Sequence, residues 1–247
     1  TASENINKAI KIYNTQQSKK SNNIERVLEI NKINKKIDIL VIATSSSVRI
    51  DIIKKFFEHN KTKYVILEKF LFQKEEDYYL AEKIFTKNKT KVWVNQSISY
   101  QNCFKEIQSF FIKSKRINMK ITGGNWGLCC NSIHYIELFE YLTNRKKPLN
   151  LQSSFFEKTI ESKRTGFYEI IGKLNFTSEC GSSIFLQTQE EPTSKLPLII
   201  SIIDENGNSV DVKCRNSFKC SFSINGKKFK KEFNEVYQSR LTEKIIN

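Results

Sequence analysis

The residues of this chain best placed to do chemistry are Glu68 and Lys69, which end the apolar run Tyr64-Val65-Ile66-Leu67. A run apolar at every position reads as a buried parallel strand, and in open α/β sheets ligands bind at the C-terminal ends of such strands. The ordinary alternative for a lysine at a strand end is to reach solvent. His134 is the second candidate. It shares a predicted helix with Cys130, Glu137 and Tyr141 at spacings of four, three and four residues, which is one stripe of the helix. Ile133, Ile136, Phe139 and Leu142 form the opposite stripe, expected to enter the core. An imidazole on the polar stripe can exchange a hydrogen bond with a substrate hydroxyl, with Glu137 fixing its tautomer, or it is satisfied by its own helix neighbour. His134-Tyr135-Ile136-Glu137 is not the H-E-x-x-H arrangement, so no metal is expected.

The chain must supply the elements that hold these groups. Its 247 residues can bury one large core or two smaller ones. It has no stretch of about 18 uncharged apolar residues, so no membrane span is expected. The start, Thr1-Ala2-Ser3-Glu4, has neither an initiator Met nor the basic-then-apolar order of a signal peptide, and reads as cut. Six cysteines are scattered without a CxxC pair, which suits neither a zinc ribbon nor a disulfide framework and points to a reducing, cytoplasmic setting. The net charge of +15 is spread along the whole chain among Asn, Ile and Glu. It reads as solvated surface charge and not as a nucleic-acid footprint.

Helix and strand signals alternate over the first half. Ser3 can cap a helix to about residue 14, and residues 24–30 read as a second short one. Strand 37–43 is apolar at nearly every position, as a strand covered on both faces should be, and ends in the polar loop Thr44-Ser45-Ser46-Ser47. Helix 48–59 follows, with Ile50, Ile53 and Phe56 or Phe57 inward, then the strand to Leu67, a helix over 74–88 and strand 92–94. This β-α-β-α-β order implies a parallel sheet with right-handed crossovers. A boundary is placed near Gln96. Beyond it come a helix near 104–112, strand 117–121, the turn Gly123-Gly124-Asn125-Trp126-Gly127 and a helix from about 131 to 142. From Phe167 strands dominate (167–176, 183–186, 196–203 and 222–224), with Asn206-Gly207 and Asn225-Gly226 as hairpin turns. The second half is expected to be a mostly antiparallel sheet with helices on one side.

The loop Ala43-Thr44-Ser45, the pair Glu68-Lys69, Asn95 after the third strand, and Gly123-Gly124 followed by His134 and Glu137 resemble the Gfo/Idh/MocA oxidoreductases. The family's pattern is an ATP-like loop, an EKP motif, a strand ending in VN and a GG…DxxxHxxD segment. The stretch from Gly124 to His134 looks like a branch associated with bacterial surface-sugar biosynthesis. The resemblance covers nearly the whole chain. It implies an α/β Rossmann-like parallel sheet, incomplete at its N-terminus, in residues 1–96, followed by an α+β domain with a mostly antiparallel open sheet in 97–247.

In such enzymes a GxGxxG unit cradles the cofactor pyrophosphate. None precedes Thr1, and the C-terminal residues stop in mid-helix pattern, so the chain is read as an internal fragment that binds cofactor poorly, if at all.

The resemblance further implies an NAD- or NADP-dependent oxidoreductase acting on a CH–OH group of a sugar or nucleotide-sugar. Lys69 and His134 would form the acid–base and orienting pair. Ala43, Thr44, Ser45, Ser46, Glu68 and Asn95 would line the cofactor, and Trp126, Cys130 and Asn131 would touch substrate. Trp126 would stack on a sugar ring or nicotinamide, or simply pack; the Thr44-Ser45-Ser46 segment is otherwise an ordinary turn with a helix cap. The second domain's sheet would join subunits in a homo-oligomer.

Three departures stand out. Phe70 replaces the usual Pro. Cys130 replaces Asp, and a thiol lacks a carboxylate's paired acceptors. Ile98-Ser99 stands where many relatives carry arginine, which argues against an anionic substrate group there. The competing reading is a non-catalytic binding or assembly protein that keeps the fold.

Overall fold

The computed structural model describes residues 7, 11, 25, 27–33, 35–144, 149–162, 165–190, 196–214, 217–236 and 241. The chain divides into two compact units, Thr1–Leu67 with Leu71–Trp93, and Glu68–Phe70 with Val94–Asn247.

In the first unit β1 (Ile39–Ile42), β2 (Tyr64–Glu68) and β3 (Lys91–Asn95) form a sheet in that order, with β1 and β2 parallel and Ile42 opposite Leu67. Two helices connect them, α1 (Ser46–His59) and α2 (Glu75–Lys87). Ile50, Ile53 and Phe56 are the buried stripe of α1, as their spacing predicts. Glu75, Glu76 and Asp77 occupy the first turn of α2, where acidic side chains complement the helix dipole, and Ala81 and Phe85 are buried one turn apart. β2 is covered as expected: Val65, Ile66 and Leu67 are all buried.

Two expectations fail here. Strand β1 is not covered on both faces, since it lies at the edge of the described sheet and Val41 remains 61% exposed. The helix expected over 24–30 is absent at residues 27–29, and a single 3₁₀ turn, Ile30–Lys32, follows. Val27 and Leu28 are exposed, so no burial offsets the cost of helix nucleation. The helix expected from Ser3 falls mostly outside the described residues.

The second unit is an eight-stranded sheet in the order β11-β10-β9-β8-β4-β7-β6-β5 with helices α3 (Asn102–Phe111) and α4 (Leu128–Thr143). β4 (Ile117–Gly124) runs parallel to β7 (Ser183–Gln189) and antiparallel to β8 (Leu198–Asp204). The remaining neighbours pair antiparallel: β5 (Asn150–Glu161) with β6 (Tyr168–Thr177), β6 with β7, and β9 (Ser209–Cys214) with β8 and β10 (Ser217–Ile224), which also pairs β11 (Lys227–Asn234). Alternate residues point into one core: Ile117, Met119 and Ile121 from β4, Ile184 and Leu186 from β7, Ile200 and Ile202 from β8, Val210 and Val212 from β9. Phe104, Ile107 and Phe111 of α3 and Leu128, Leu138, Phe139 and Leu142 of α4 close it. All six cysteines are free thiols, and Cys103 and Cys220 belong to this core.

At the Asn225-Gly226 turn both residues have positive φ, 46° and 79°, the backbone of a type I′ hairpin. The sequence reading missed β5, whose residues are nearly all exposed, so no buried face imposes an alternating pattern. It left β9 and β11 unlisted beyond their turns; the lysine-rich β11 is the sheet's other edge, where charges discourage further pairing.

Gly172 of β6 lies so close to β5 that a Cβ there would sit 2.2 Å from the carbonyl oxygen of Phe155. Backbone cannot move aside as a flexible side chain can. Gly172→Ala is therefore expected to lower the unfolding free energy by about 1–3 kcal/mol, read by urea denaturation.

Candidate functional site

The site is built on the first two turns of α4, which begins after a sharp turn. Gly127 has φ of 82°, and a Cβ there would meet Cys130 Sγ at 2.9 Å, Asn131 Nδ2 at 3.0 Å and Glu169 Oε1 at 3.2 Å. As the helix N-cap, Gly127 offers no side chain to the free N–H groups. Glu169 of β6 replaces it: its carboxylate accepts from the N–H of Cys129 at 2.9 Å and of Cys130 at 3.3 Å. Trp126, just before the turn, donates its indole N–H to the Gln187 carbonyl at 2.8 Å and sets its ring edge-on to buried Tyr135, with centroids 5.3 Å apart.

With α4 fixed in this way, Asn131 and Lys69 meet. The Lys69 Nζ donates to Asn131 Oδ1 at 2.6 Å and to the Cys130 carbonyl at 2.8 Å. Asn131 Nδ2 donates to the Trp126 carbonyl at 2.6 Å. Only one orientation of the amide satisfies both bonds, because a flipped amide would turn its NH₂ toward the ammonium. An ammonium carries three N–H donors; α4 takes two, and the third has no partner among the described residues.

His134 lies one turn further along α4. Burial first, and then the Lys69 charge, lower its pKa to about 4, so the ring is neutral at physiological pH. Its Nδ1 is buried without a hydrogen-bond partner among the described residues. Glu137 does not fix the imidazole tautomer. Its Oε1 accepts from Ser99 Oγ at 2.7 Å, and its Oε2 is buried with no partner among the described residues. Burial raises the Glu137 pKa, opposed by that serine bond. Ser99, noted in the sequence only for what it replaces, is thus the anchor of this carboxylate.

The Cys130 thiol is pushed up to about 11, by desolvation first and then by Glu169, and stays protonated. A thiol does not supply the paired acceptor oxygens of a carboxylate. The core-facing stripe of α4 also differs from expectation: Leu128, Ser132, Tyr135, Leu138, Phe139 and Leu142 are buried, while Ile133 and Ile136 are only partly so.

Glu68 and Asn95 meet at the ends of β2 and β3, Asn95 Nδ2 donating to Glu68 Oε2 at 2.9 Å. Ala43, Thr44, Ser45 and Ser46 belong to the first unit, between β1 and the first residue of α1. There Arg49, only 1% exposed, donates to the carbonyls of Thr44 and Leu71, the latter at 2.7 Å. The Thr44 hydroxyl is buried with no partner among the described residues.

These orphaned atoms are the test of whether a dinucleotide and a hydroxylated substrate suit the residues present. They do: the Thr44 hydroxyl can donate to a ribose or phosphate oxygen, and His134 Nδ1 and Glu137 Oε2 can accept from hydroxyl groups.

No family model and no curated protein matches the chain. Among solved structures, a dehydrogenase (MviM) from Clostridium difficile shares 16% identity at TM-score 0.60, over 84% of this chain and 66% of that one. An oxidoreductase from Agrobacterium radiobacter in complex with NAD+, L-tartaric acid and magnesium shares 10% at 0.58, over 78% of this chain and 60% of that one. The transcriptional regulator Gal80p from Kluyveromyces lactis shares 14% at 0.58, over 82% of this chain and 62% of that one. The chain thus spans about two-thirds of the length of these structures. It has their fold: a parallel three-stranded sheet, then a mostly antiparallel eight-stranded sheet with helices, as the resemblance to the Gfo/Idh/MocA oxidoreductases implied. No helix among the described residues is long and apolar enough to cross a membrane.

Because the His134 pKa falls on folding from 6.5 to about 4, the unfolded chain binds the extra proton across that window, and stability drops as pH falls through it. Urea unfolding of wild type and His134→Gln between pH 7.5 and 4.5 should show the wild-type advantage shrinking with acidity. A difference independent of pH would mean that the ring is not held neutral.

Proposed function

We propose that the protein is an NAD(P)-dependent oxidoreductase that transfers a hydride between the nicotinamide and a CH–OH carbon of a sugar or nucleotide-sugar. The observation that carries this reading is the convergence of Lys69 and His134 on the first two turns of α4, one with a third N–H donor unused and the other with a buried ring nitrogen that has no partner among the described residues. The four motifs in their order along the chain, on a fold shared with a dehydrogenase and an NAD+-bound oxidoreductase, support it.

Lys69 directs its remaining N–H at the oxygen of the reacting carbon: as the ammonium it gives that proton to a carbonyl oxygen in reduction and is left as the amine, and in oxidation the amine takes the proton of a hydroxyl and becomes the ammonium. His134, neutral above about pH 4, is the orienting partner, hydrogen-bonding the same or a neighbouring hydroxyl. Glu137 Oε2 accepts from a further hydroxyl, and Asn131 and Cys130 border the substrate. The nucleotide, when bound, supplies or accepts the hydride. Ala43, Thr44, Ser45 and Ser46 would hold its adenosine half, and Glu68 and Asn95 its other half. The setting we propose is a cytoplasmic step of surface-polysaccharide or sugar biosynthesis.

A second reading, a non-catalytic binding or assembly protein on the same fold, is favoured by the protonated Cys130 thiol and by the likeness to a transcriptional regulator.

Fluorescence titration of NADH and NADPH into the protein at its full natural length, with turnover of a sugar panel by wild type, Lys69→Ala and His134→Ala, separates the two. The enzyme reading expects nucleotide binding and a loss of about 10²–10⁴-fold in kcat in the Lys69 variant. A folded protein that binds neither nucleotide would sink it.

We also propose that the second unit's sheet joins subunits. Support comes from exposed Phe156 on β5 and Tyr168 on β6, whose register places both on one face of this strand pair, two large apolar side chains turned to water. Light scattering should give an oligomeric mass for wild type and a lower one for the Phe156→Lys, Tyr168→Lys double variant. An unchanged mass places the interface elsewhere.

A further inference from the structure

We propose that Asn131 is a positioning residue that holds the Lys69 ammonium over the first turn of α4 and so keeps its charge beside His134. The proposal deepens the oxidoreductase reading and rests on it for its functional meaning. Cys130 gives Lys69 its backbone carbonyl and not its thiol, and the side-chain acceptor comes from the next residue. Asn131 Oδ1 takes the shortest bond that Lys69 makes, 2.6 Å, and the backbone carbonyl of Cys130 takes the other at 2.8 Å. That carbonyl is also the one that the helical ladder offers to the N–H of His134, four residues on. The ammonium is therefore pinned one helical turn from the imidazole by a neutral amide and a carbonyl, neither of which cancels its charge.

The geometry also explains why an amide suits the position. Asn131 must accept from Lys69 on one side and donate to the Trp126 carbonyl at 2.6 Å on the other. A carboxylate would accept from Lys69 but repel that carbonyl; serine would be too short to span both. The charged groups around this stretch are Lys69 from the end of β2, Glu137 on α4 itself, and Glu169 from β6 behind the helix start. Of these only Lys69 is coupled to Asn131 by a side-chain bond.

The test uses the fact that the chain has only two histidines, His59 and His134, so two ring signals report the whole titration. The probe is the proton itself, followed by NMR on the full chain with neither nucleotide nor sugar present. His134 should titrate near pH 4 in wild type. In Lys69→Met its midpoint should rise by about half a pH unit or more, because a nearby positive charge has gone. Asn131→Ala should raise it by a similar amount, and the double variant should show no further rise beyond Lys69→Met alone.

If Asn131→Ala leaves the midpoint in place while Lys69→Met moves it, Asn131 does not hold the charge and the proposal fails. It fails equally if the Asn131→Ala effect persists in full in the Lys69→Met background, since that effect would come from the turn and not from the ammonium.

Should Asn131→Ala not fold, Asn131→Asp supplies the second measurement. It keeps an acceptor for Lys69 and loses the Trp126 bond. Acetylation of Lys69 by a limiting acylating reagent, read by mass spectrometry, should then stay as slow as in wild type; a rate several-fold faster would overturn the proposal. None of these outcomes depends on nucleotide binding, so failure here is distinct from failure of the oxidoreductase reading.

Discussion

The rest of the site depends on the buried carboxylate of Glu169 at the start of α4. A helix that opens with glycine has no side chain of its own for its first N–H groups, and Glu169 accepts two of them from a neighbouring strand. A negative group is favourable there because the helix dipole presents its positive end. Glu169 is itself only 9% exposed, so removing the helix N–H groups would strand a buried charge. The contact fixes where α4 begins and hence its rotational phase. That phase decides that Asn131, and not Cys130, presents its side chain to Lys69.

This arrangement also sets the electrostatic character of the site. The positive end of α4 is already occupied by an internal carboxylate, and a neutral serine, Ser99, is what donates to Glu137. One cation, Lys69, is held beside a neutral imidazole, a protonated thiol and a carboxylate with one buried oxygen that has no partner among the described residues. Such a set matches a ligand rich in hydroxyl groups better than an anion. It also divides labour between the two candidate residues: the histidine, neutral because it is buried next to the ammonium, is a hydrogen-bonding group and not a store of protons.

Much of this was legible in the sequence, for identifiable reasons. The β2 run is apolar because it is the central strand of its sheet, so its end could be located and Lys69 singled out. The Asn-Gly turns carry their own backbone requirement, so the hairpins could be placed. His134 stood out because histidine is rare in the chain. The helix phase was not legible. A stripe drawn from Ile133 and Ile136 is one step away from the observed one, because the Gly127 turn and Glu169, which fix the start, come from elsewhere in the chain. Glu169 and Arg49 look like solvent-facing charges in sequence, and only tertiary packing shows them buried against backbone N–H and carbonyl groups. Strand β5 left no trace because neither of its faces is covered.

Lys69 belongs to the second unit although the sequence on both sides of it belongs to the first. No single crossover point in a recombining gene can therefore exchange the two units cleanly. A swap of the segment up to residue 93 would import a new lysine with the first unit, while Asn131 and His134 would be inherited from the other parent. Only parents that agree on which residue at the start of α4 receives the lysine would yield a working chimera. The register of that one bond is thus a compatibility rule within the second unit, between two pieces of chain that lie far apart in sequence.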